Sequence, residues 1–318
     1  LEMVRYDGYH GAKPHWKRVV IKPINSAPSR LAALLSGDVD FIDQVPTVDI
    51  ARLKKNAKVE LSQGVSNRII YLHMDQYRDN PQYMKSHDGK PLTKNPMKDV
   101  RVRKAISMAI SRDLIVDRVM EGVAIPAGQL LPEGFFGRSS KLMVQKHDPE
   151  GAKKLLAEAG YPNGIDMVIH SVSRIKEITE AMAGEMRKVG IRARVQSTNI
   201  GTYRRLQGQG KLQAWTIAYP AGAFPDAGNH LNVFFRGSRT RYMGADPIVI
   251  GAMNKGAGEL DLAKRSDIYA KAYDRANEMI YNMAVTSLPY VIAHTKDVKV
   301  QLDPLSTGEI YVNNYGWK

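Results

Sequence analysis

Apolar residues recur along this chain with two different periods, and their alternation predicts strands interleaved with helices. Residues 19–24 are rich in β-branched side chains and read as a strand. Pro28 opens a short helix, RLAALLS, which Gly37 closes, and residues 39–42 form a second short strand. A helix over residues 49–55 and strands over 59–62 and 68–74 (RIIYLHM) follow, so residues 17–75 read as a βαβ-type unit. Residues 76–98 are polar, contain Pro81, Gly89, Pro91 and Pro96, and read as a loop or linker.

The second part begins with DVRVRKAISMAISRDLIVDRVMEG, where two helices meet at Ser111, which can cap the second. Gly122 is placed to stop that second helix in a left-handed turn. Asp148 then caps a helix with Pro149 in its first turn, Leu155 and Leu156 on its buried side and Gly160 at its end. Residues 166–171 read as a strand. Residues 175–189 read as a helix, with Ile178, Ala181, Met182, Glu185, Met186 and Val189 spaced by three or four, and Gly190 stops it. A strand over 191–196, a short helix over 202–207 and a strand over 212–219 come next. Ser266 is read as the cap of a long helix carrying Tyr269, Ala272, Tyr273 and Ala276, before closing strands at 289–294 and 298–300. The pattern is α/β.

Composition narrows the classes. With 318 residues, 43% hydrophobic and 25% charged, the chain has the makeup of a globular protein of about two domains. No apolar run approaches the roughly 18 residues of a membrane span. Residues 1–20 lack the apolar core and small-residue cleavage site of a secretory leader. The absence of cysteine excludes disulfides and thiolate metal sites. The net charge of +14 raises the question of nucleic acid. Its basic residues are scattered, however, as Lys54, Lys55 and Lys58, then Arg101, Arg103 and Lys104, then Arg204 and Arg205, with no aromatic-interleaved basic motif. A solvated basic surface accounts for them better than a nucleic-acid site does.

Catalytic signatures are missing too. The eight histidines (10, 15, 73, 87, 147, 170, 230 and 294) are dispersed, with no His-Glu-x-x-His pair. There is no Gly-x-Ser-x-Gly elbow and no phosphate-binding Gly-x-x-x-x-Gly-Lys loop. Asp226 and His230 stand four apart in DAGNH, a weak pattern for a metal. No enzyme activity, cofactor or metal is expected.

Several landmarks in order carry a resemblance: RYDGYHGAKP at 5–14, SGDVD at 36–40, the stretch 100–122 and the helix ending at Gly160. With these the chain resembles the extracellular solute-binding proteins of family 5, which deliver oligopeptides, dipeptides, nickel and related solutes to ABC importers. The resemblance implies a periplasmic-binding-protein-like two-lobe α/β fold (type II, the large cluster with oligopeptide binders). Residues 1–76 would be part of lobe one, 77–287 lobe two and 288–318 the return to lobe one. It also implies that the chain lacks the N-terminal part of a longer protein, which would hold the leader, the first strands of lobe one and a small extra domain. The implied function is solute capture between two lobes, as a monomer, in the periplasm or outside the cell at the membrane, with permease subunits as partners. The other readings are a basic nucleic-acid-binding domain and a non-peptide carrier of the sugar-phosphate, opine or metal-chelate type.

By the same resemblance, the solute-contacting loop is YPAGAFPD, Tyr219 to Asp226. In the peptide binders this loop has a Trp followed three positions later by an Asp that pairs with the peptide α-ammonium. Here Tyr219 stands at the Trp position and Gly222 at the Asp position. An ammonium buried without that carboxylate would be destabilised by roughly 3–5 kcal/mol, so an ordinary free-amino peptide is not the expected ligand unless Asp226 substitutes. Tyr219 and Phe224 are candidates to stack on a ligand, and Arg205 to meet a carboxylate through paired donors. Asn67, Arg68, Tyr71 and His73 line the strand at 68–74, of which at most half can face a cleft because side chains alternate.

Overall fold

The structure, a computed structural model, describes residues 1–220, 225–236, 246–302 and 312–318. Its first elements are β1 (Glu2–Val4), β2 (Arg18–Val20), α1 (Ala27–Ser36), β3 (Phe41–Ile42), α2 (Ile50–Leu53), β4 (Val59–Met74) and β5 (Met84–Ser86). Next come α3 (Val100–Ala109), α4 (Arg112–Arg118), α5 (Pro149–Glu158), β6 (Ile165–Val172), α6 (Lys176–Arg187), β7 (Ile191–Thr198) and α7 (Ile200–Gly208). The last are β8 (Ala214–Pro220), α8 (Ala227–Phe235), α9 (Pro247–Gly258), α10 (Leu262–Glu278), β9 (Asn282–Thr295), β10 (Val298–Val300) and β11 (Tyr315–Trp317). The chain divides into two compact units. Unit 1 holds residues 1–67, 120–124 and 288–318, and unit 2 holds 68–119 and 125–287.

In unit 1, α1 forms where the sequence placed it. The Ser26 hydroxyl accepts from the Ser29 amide, Pro28 sits in the first turn, and Gly37 ends the helix at φ 85°, a left-handed conformation glycine adopts without strain. The expected βαβ unit does not form. β2 pairs with β1, and β3 pairs with β9 (Phe41 opposite His294, Ile42 opposite Ala293), both antiparallel. The reason is burial: β9 presents Val291 and Ala293 to Leu31, Leu34, Ile50 and Leu53, while Tyr290 and Ile292 point the other way, towards Tyr315 and Trp16. A strand more than two hundred residues downstream supplies the apolar face that the local segment lacks. The two strands expected at 59–62 and 68–74 are one strand, β4, which passes from unit 1 into unit 2.

Unit 2 is built on a mixed sheet. β6 pairs in parallel with β7 along its whole length, with α6 as the crossover. On the opposite edge, β8 pairs in parallel with Ile169, His170 and Ser171, and β5 pairs antiparallel with Ile165, Asp166 and Met167. β4 then lies antiparallel against β8, with Tyr71 opposite Ile217 and His73 opposite Trp215. Residues 76–98 are therefore not a free linker: they contribute β5, and Met84 and Met97 are buried. The Gln213 side-chain oxygen accepts from the amides of Gln82 and Tyr83 at 2.7 and 3.1 Å, which ties the segment down.

The most recognisable stretch of the sequence, α3 and α4, holds two buried arginines with no carboxylate partner among the described residues. Arg103 donates to the carbonyls of Met97 (2.7 Å) and Met279 (Nε, 3.0 Å), the latter at the end of α10. Arg112 donates to the Ser107 carbonyl (3.1 Å) at the end of α3 and to the Ala284 carbonyl (2.9 Å) in β9. Both guanidiniums sit at helix C-termini, where the macrodipole favours a cation. Burial pushes each down to about 10, which leaves both charged at neutral pH. Ser111 caps α4 by accepting from the Leu114 amide, as expected. The helix ends at Arg118, however, and Gly122 (φ 72°) belongs to the turn that follows. α10 begins five residues earlier than expected, because Asp261 rather than Ser266 accepts from the first-turn amides.

Candidate functional site

Side-chain alternation on β4 and β8 sorts unit 2 into two faces. One face carries Ile69, Tyr71 and His73 beside Trp215, Ile217 and Tyr219. The other carries Thr216, whose hydroxyl lies 2.7 Å from that of Thr179 on α6. α8 packs on the first face. Phe234 meets the Tyr71 ring edge-on at 5.7 Å and the Tyr219 ring at 4.9 Å, and His230 meets Tyr219 at 4.9 Å. α10 closes the cluster with Tyr273, whose hydroxyl bonds Nδ1 of His230. Burial pushes His230 down to about 3 and the Tyr273 hydroxyl well above the usual tyrosine range, so both are neutral.

α8 starts at Asp226, which accepts from the Gly228 amide at 2.7 Å. The other Asp226 oxygen accepts from Arg265 on α10 at 2.9 Å. The Arg265 guanidinium lies 5.3 Å from the ring centres of both Phe136 and Tyr269, within cation–π range. These groups, with Asn229 and Asn232 one turn apart on α8, line a depression of about 650 Å³, the size of a small-molecule site. Tyr269 fits beneath because Gly228 and Gly256 carry no Cβ; a Cβ at either position would overlap its ring or hydroxyl. The depression combines aromatic surface, two amides and one ion pair, suited to a polar ligand with a flat or apolar face.

The site residues expected from sequence fall in different places. Tyr219 and Asp226 bracket the loop, and Tyr219 is drawn into the ring cluster. Gly222 and Phe224 lie outside the described residues. Arg205 is exposed on α7, two residues after the buried Tyr203. Asn67 ends unit 1 and is buried, and Arg68 begins unit 2, half-buried. Tyr71 is buried against Phe234. His73 is in the core, 1% exposed, stacked on Trp215 at 3.7 Å and pushed down to about 3 by burial. Asp226 and His230 form no metal pair, since each already has its own partner on α10. No group of three His, Asp or Glu side chains among the described residues is arranged to hold a metal.

Sequence reasoning missed α8 and α9, and with them Asn229, Asn232 and the role of His230. One signal was available. Arg265, Tyr269 and Tyr273 stand four apart on α10 and share one stripe, the stripe that meets Asp226 and His230.

Comparison with known proteins fits this architecture. The sequence profile of the bacterial extracellular solute-binding proteins, family 5 Middle, matches residues 1–242. Heme-binding protein A of Haemophilus influenzae is 25% identical over 309 residues, covering 93% of this chain and 52% of that protein. The dipeptide-binding protein of Escherichia coli is 28% identical over 222 residues, covering 66% of this chain and 38% of that protein. Among solved structures, the dipeptide binding protein from Pseudoalteromonas sp. SM9913 in complex with Met-Leu superposes with a TM-score of 0.83 at 20% identity. It covers all of this chain and 61% of that one, which establishes the periplasmic-binding-protein fold. The chain thus spans about half the length, or less, of these curated relatives. With the profile matched over most of its length, the chain belongs to the bacterial extracellular solute-binding proteins of family 5.

Proposed function

We propose that this chain is part of the solute-binding component of a bacterial ABC importer. It captures a small solute and hands it to membrane permease subunits without making or breaking a bond. It works as a monomer in the periplasm or at the outer face of the membrane, with unit 1 as part of one lobe and unit 2 as the other. The observation that carries this reading is the family match over residues 1–242; the relatives are named for binding, not catalysis. Mass spectrometry of small molecules co-purified with the intact protein tests it. A bound solute that also raises the melting temperature supports it. No co-purified solute, and no shift with peptides, sugar phosphates, opines or metal chelates, would overturn it.

Within that function we infer a solute without a free α-ammonium, contacted by the segment from Tyr219 to Asp226, with Arg205 available to an acidic group. By the family resemblance, Gly222 takes the position at which the peptide binders carry their carboxylate. Asp226 is the nearby acid, and its two oxygens are committed to the Gly228 amide and to Arg265. The relative covering most of the chain is named for heme, which has no α-ammonium. Calorimetry with a dipeptide and its N-acetyl form distinguishes the cases. Tight binding of the free form alone would refute the inference.

A further inference from the structure

The depression beside α8 holds one balanced charge pair and two uncommitted carboxamides. Asp226 is bonded to the Gly228 amide and to Arg265, and Arg265 is also hydrogen-bonded to Tyr269. The guanidinium lies against the Phe136 and Tyr269 rings as well, so both charges are already met within the protein. Asn229 and Asn232 are different. Both are exposed, both line the depression, and neither side chain has a hydrogen-bond partner among the described residues. They stand three apart on one helix, which places their Cβ atoms about 5–6 Å from each other. Phe136, half-buried, and Pro225 and Ala257, both exposed, give the wall its apolar part.

Hydrogen-bonding capacity decides what fits there. A carboxamide donates two hydrogen bonds through its NH2 group and accepts through its oxygen. A carboxylate or phosphate only accepts, so it meets the two NH2 groups but opposes both amide oxygens and Asp226. An ammonium only donates, so it meets the amide oxygens but opposes the NH2 groups and Arg265. Neither ion finds an unpaired counter-charge to offset the hydration it gives up. A hydroxyl both donates and accepts, as a carboxamide does. Neighbouring hydroxyls on a carbon skeleton therefore match Asn229 and Asn232, while the C–H surface of that skeleton lies on the apolar wall. The volume of about 650 Å³ is within the range of small-molecule sites.

We propose that the depression takes an uncharged polyhydroxylated ligand, a sugar ring or an open-chain polyol, hydrogen-bonded to the carboxamides of Asn229 and Asn232. The inference rests on the reading of this chain as a solute-binding component, and it names the class of solute. Such a ligand has no α-ammonium, so it needs no carboxylate from the segment before α8. The lining residues all belong to unit 2, which therefore supplies the site by itself.

Calorimetry on the intact protein tests the proposal, with glucose, cellobiose and mannitol as neutral probes and glucuronate and glucosamine as charged ones. At least one neutral probe should bind, and neither charged sugar should bind more tightly than glucose. Asn229→Leu and Asn232→Leu should each weaken the neutral probe about tenfold while leaving the far-UV circular dichroism unchanged. No binding of any neutral probe, tighter binding of a charged sugar, or full affinity in both variants overturns the proposal. Should a variant fail to fold, 15N NMR of the unaltered protein decides: the side-chain NH2 signals of Asn229 and Asn232 must shift on adding the neutral probe. A co-purified solute without hydroxylated carbons overturns this inference and leaves the importer reading standing, so the two can fail separately.

Discussion

Lowering the pH from 7 to 5 is expected to cost this protein several kcal/mol of stability, through two histidines. His73 and His230 are both buried, and burial pushes each from the usual 6.5 down to about 3, for His73 against a hydrogen bond to Asn282 that favours its charged form. His73 is stacked on Trp215 and His230 is enclosed by Tyr219, Phe234 and Tyr273, with no carboxylate bonded to either ring. The folded state therefore holds them neutral, while the unfolded chain protonates them below 6.5. Stability is fully present above that value and is lost as the pH falls towards 3. Each unit of pH between the two values corresponds to about 1.4 kcal/mol per histidine, so at pH 5 each contributes a loss of about 2 kcal/mol. Together the pair gives about 4 kcal/mol, a large share of a typical total. The carboxylates whose pKa is lowered act elsewhere: Asp88 is held at about 2, mainly by its hydrogen bond from Lys90, and Asp99 is lowered by its hydrogen bond from Arg101. Their contribution is lost only as the pH falls below about 4, outside the range from 7 to 5. The assay is urea unfolding followed by circular dichroism at pH 7, 6 and 5, on the unaltered protein and on His230→Phe. The variant keeps the ring stacking but strands the Tyr273 hydroxyl, so it starts less stable by about 1–3 kcal/mol. Its slope with pH should nevertheless be shallower by one histidine. An unaltered protein as stable at pH 5 as at pH 7, or a variant with the full slope, refutes the reasoning.

Other expected outcomes follow from single contacts. Arg112→Ala leaves the carbonyls of Ser107 and Ala284 buried without their charged donor, and should lower the unfolding free energy by about 3–5 kcal/mol in denaturant titration. Asp226→Asn keeps the helix cap and loses a half-exposed ion pair with Arg265, so stability should change by less than about 1 kcal/mol. Its affinity for the solute should match the unaltered protein's in calorimetry, because Asp226 serves α8 and Arg265. Gly137→Ala forces a Cβ to within 2.7 Å of that of Ala227 and 2.8 Å of that of Tyr269, at a φ of 77°. A loss of about 2 kcal/mol or more is expected, visible as a lower melting temperature.

Helix ends were legible in the sequence because capping is local. Ser111 and Asp148 accept from amides three residues on, and Gly37, Gly160 and Gly190 take positive φ where the helices stop. The same logic placed the cap of α10 at Ser266, whereas Asp261 holds it; both residue types are good caps and only the contacts of the first turn separate them. α8 escaped notice because its buried residues, His230, Leu231, Phe234 and Phe235, are few and follow a loop rich in Pro and Gly. Of the segment expected to meet solute, residues 219–226, the described part contributes Pro225 and Asp226 to the depression, whose arrangement the sequence did not reveal. Arg265, Tyr269 and Tyr273 reach it from forty residues away, and only the packing of α10 on α8 brings them there.

The sequence by itself determined the family, the α/β alternation and most helix boundaries, all of which depend on residue types within one or two turns of each other. Tertiary structure decided what pairs with what. β3 found β9 rather than β2, residues 76–98 joined the sheet of unit 2, and His73 and His230 became neutral core residues. Such outcomes depend on which apolar faces meet, and on how much water the meeting excludes. Strand pairing and histidine charge are set by neighbours distant in sequence, so a local pattern carries no trace of them.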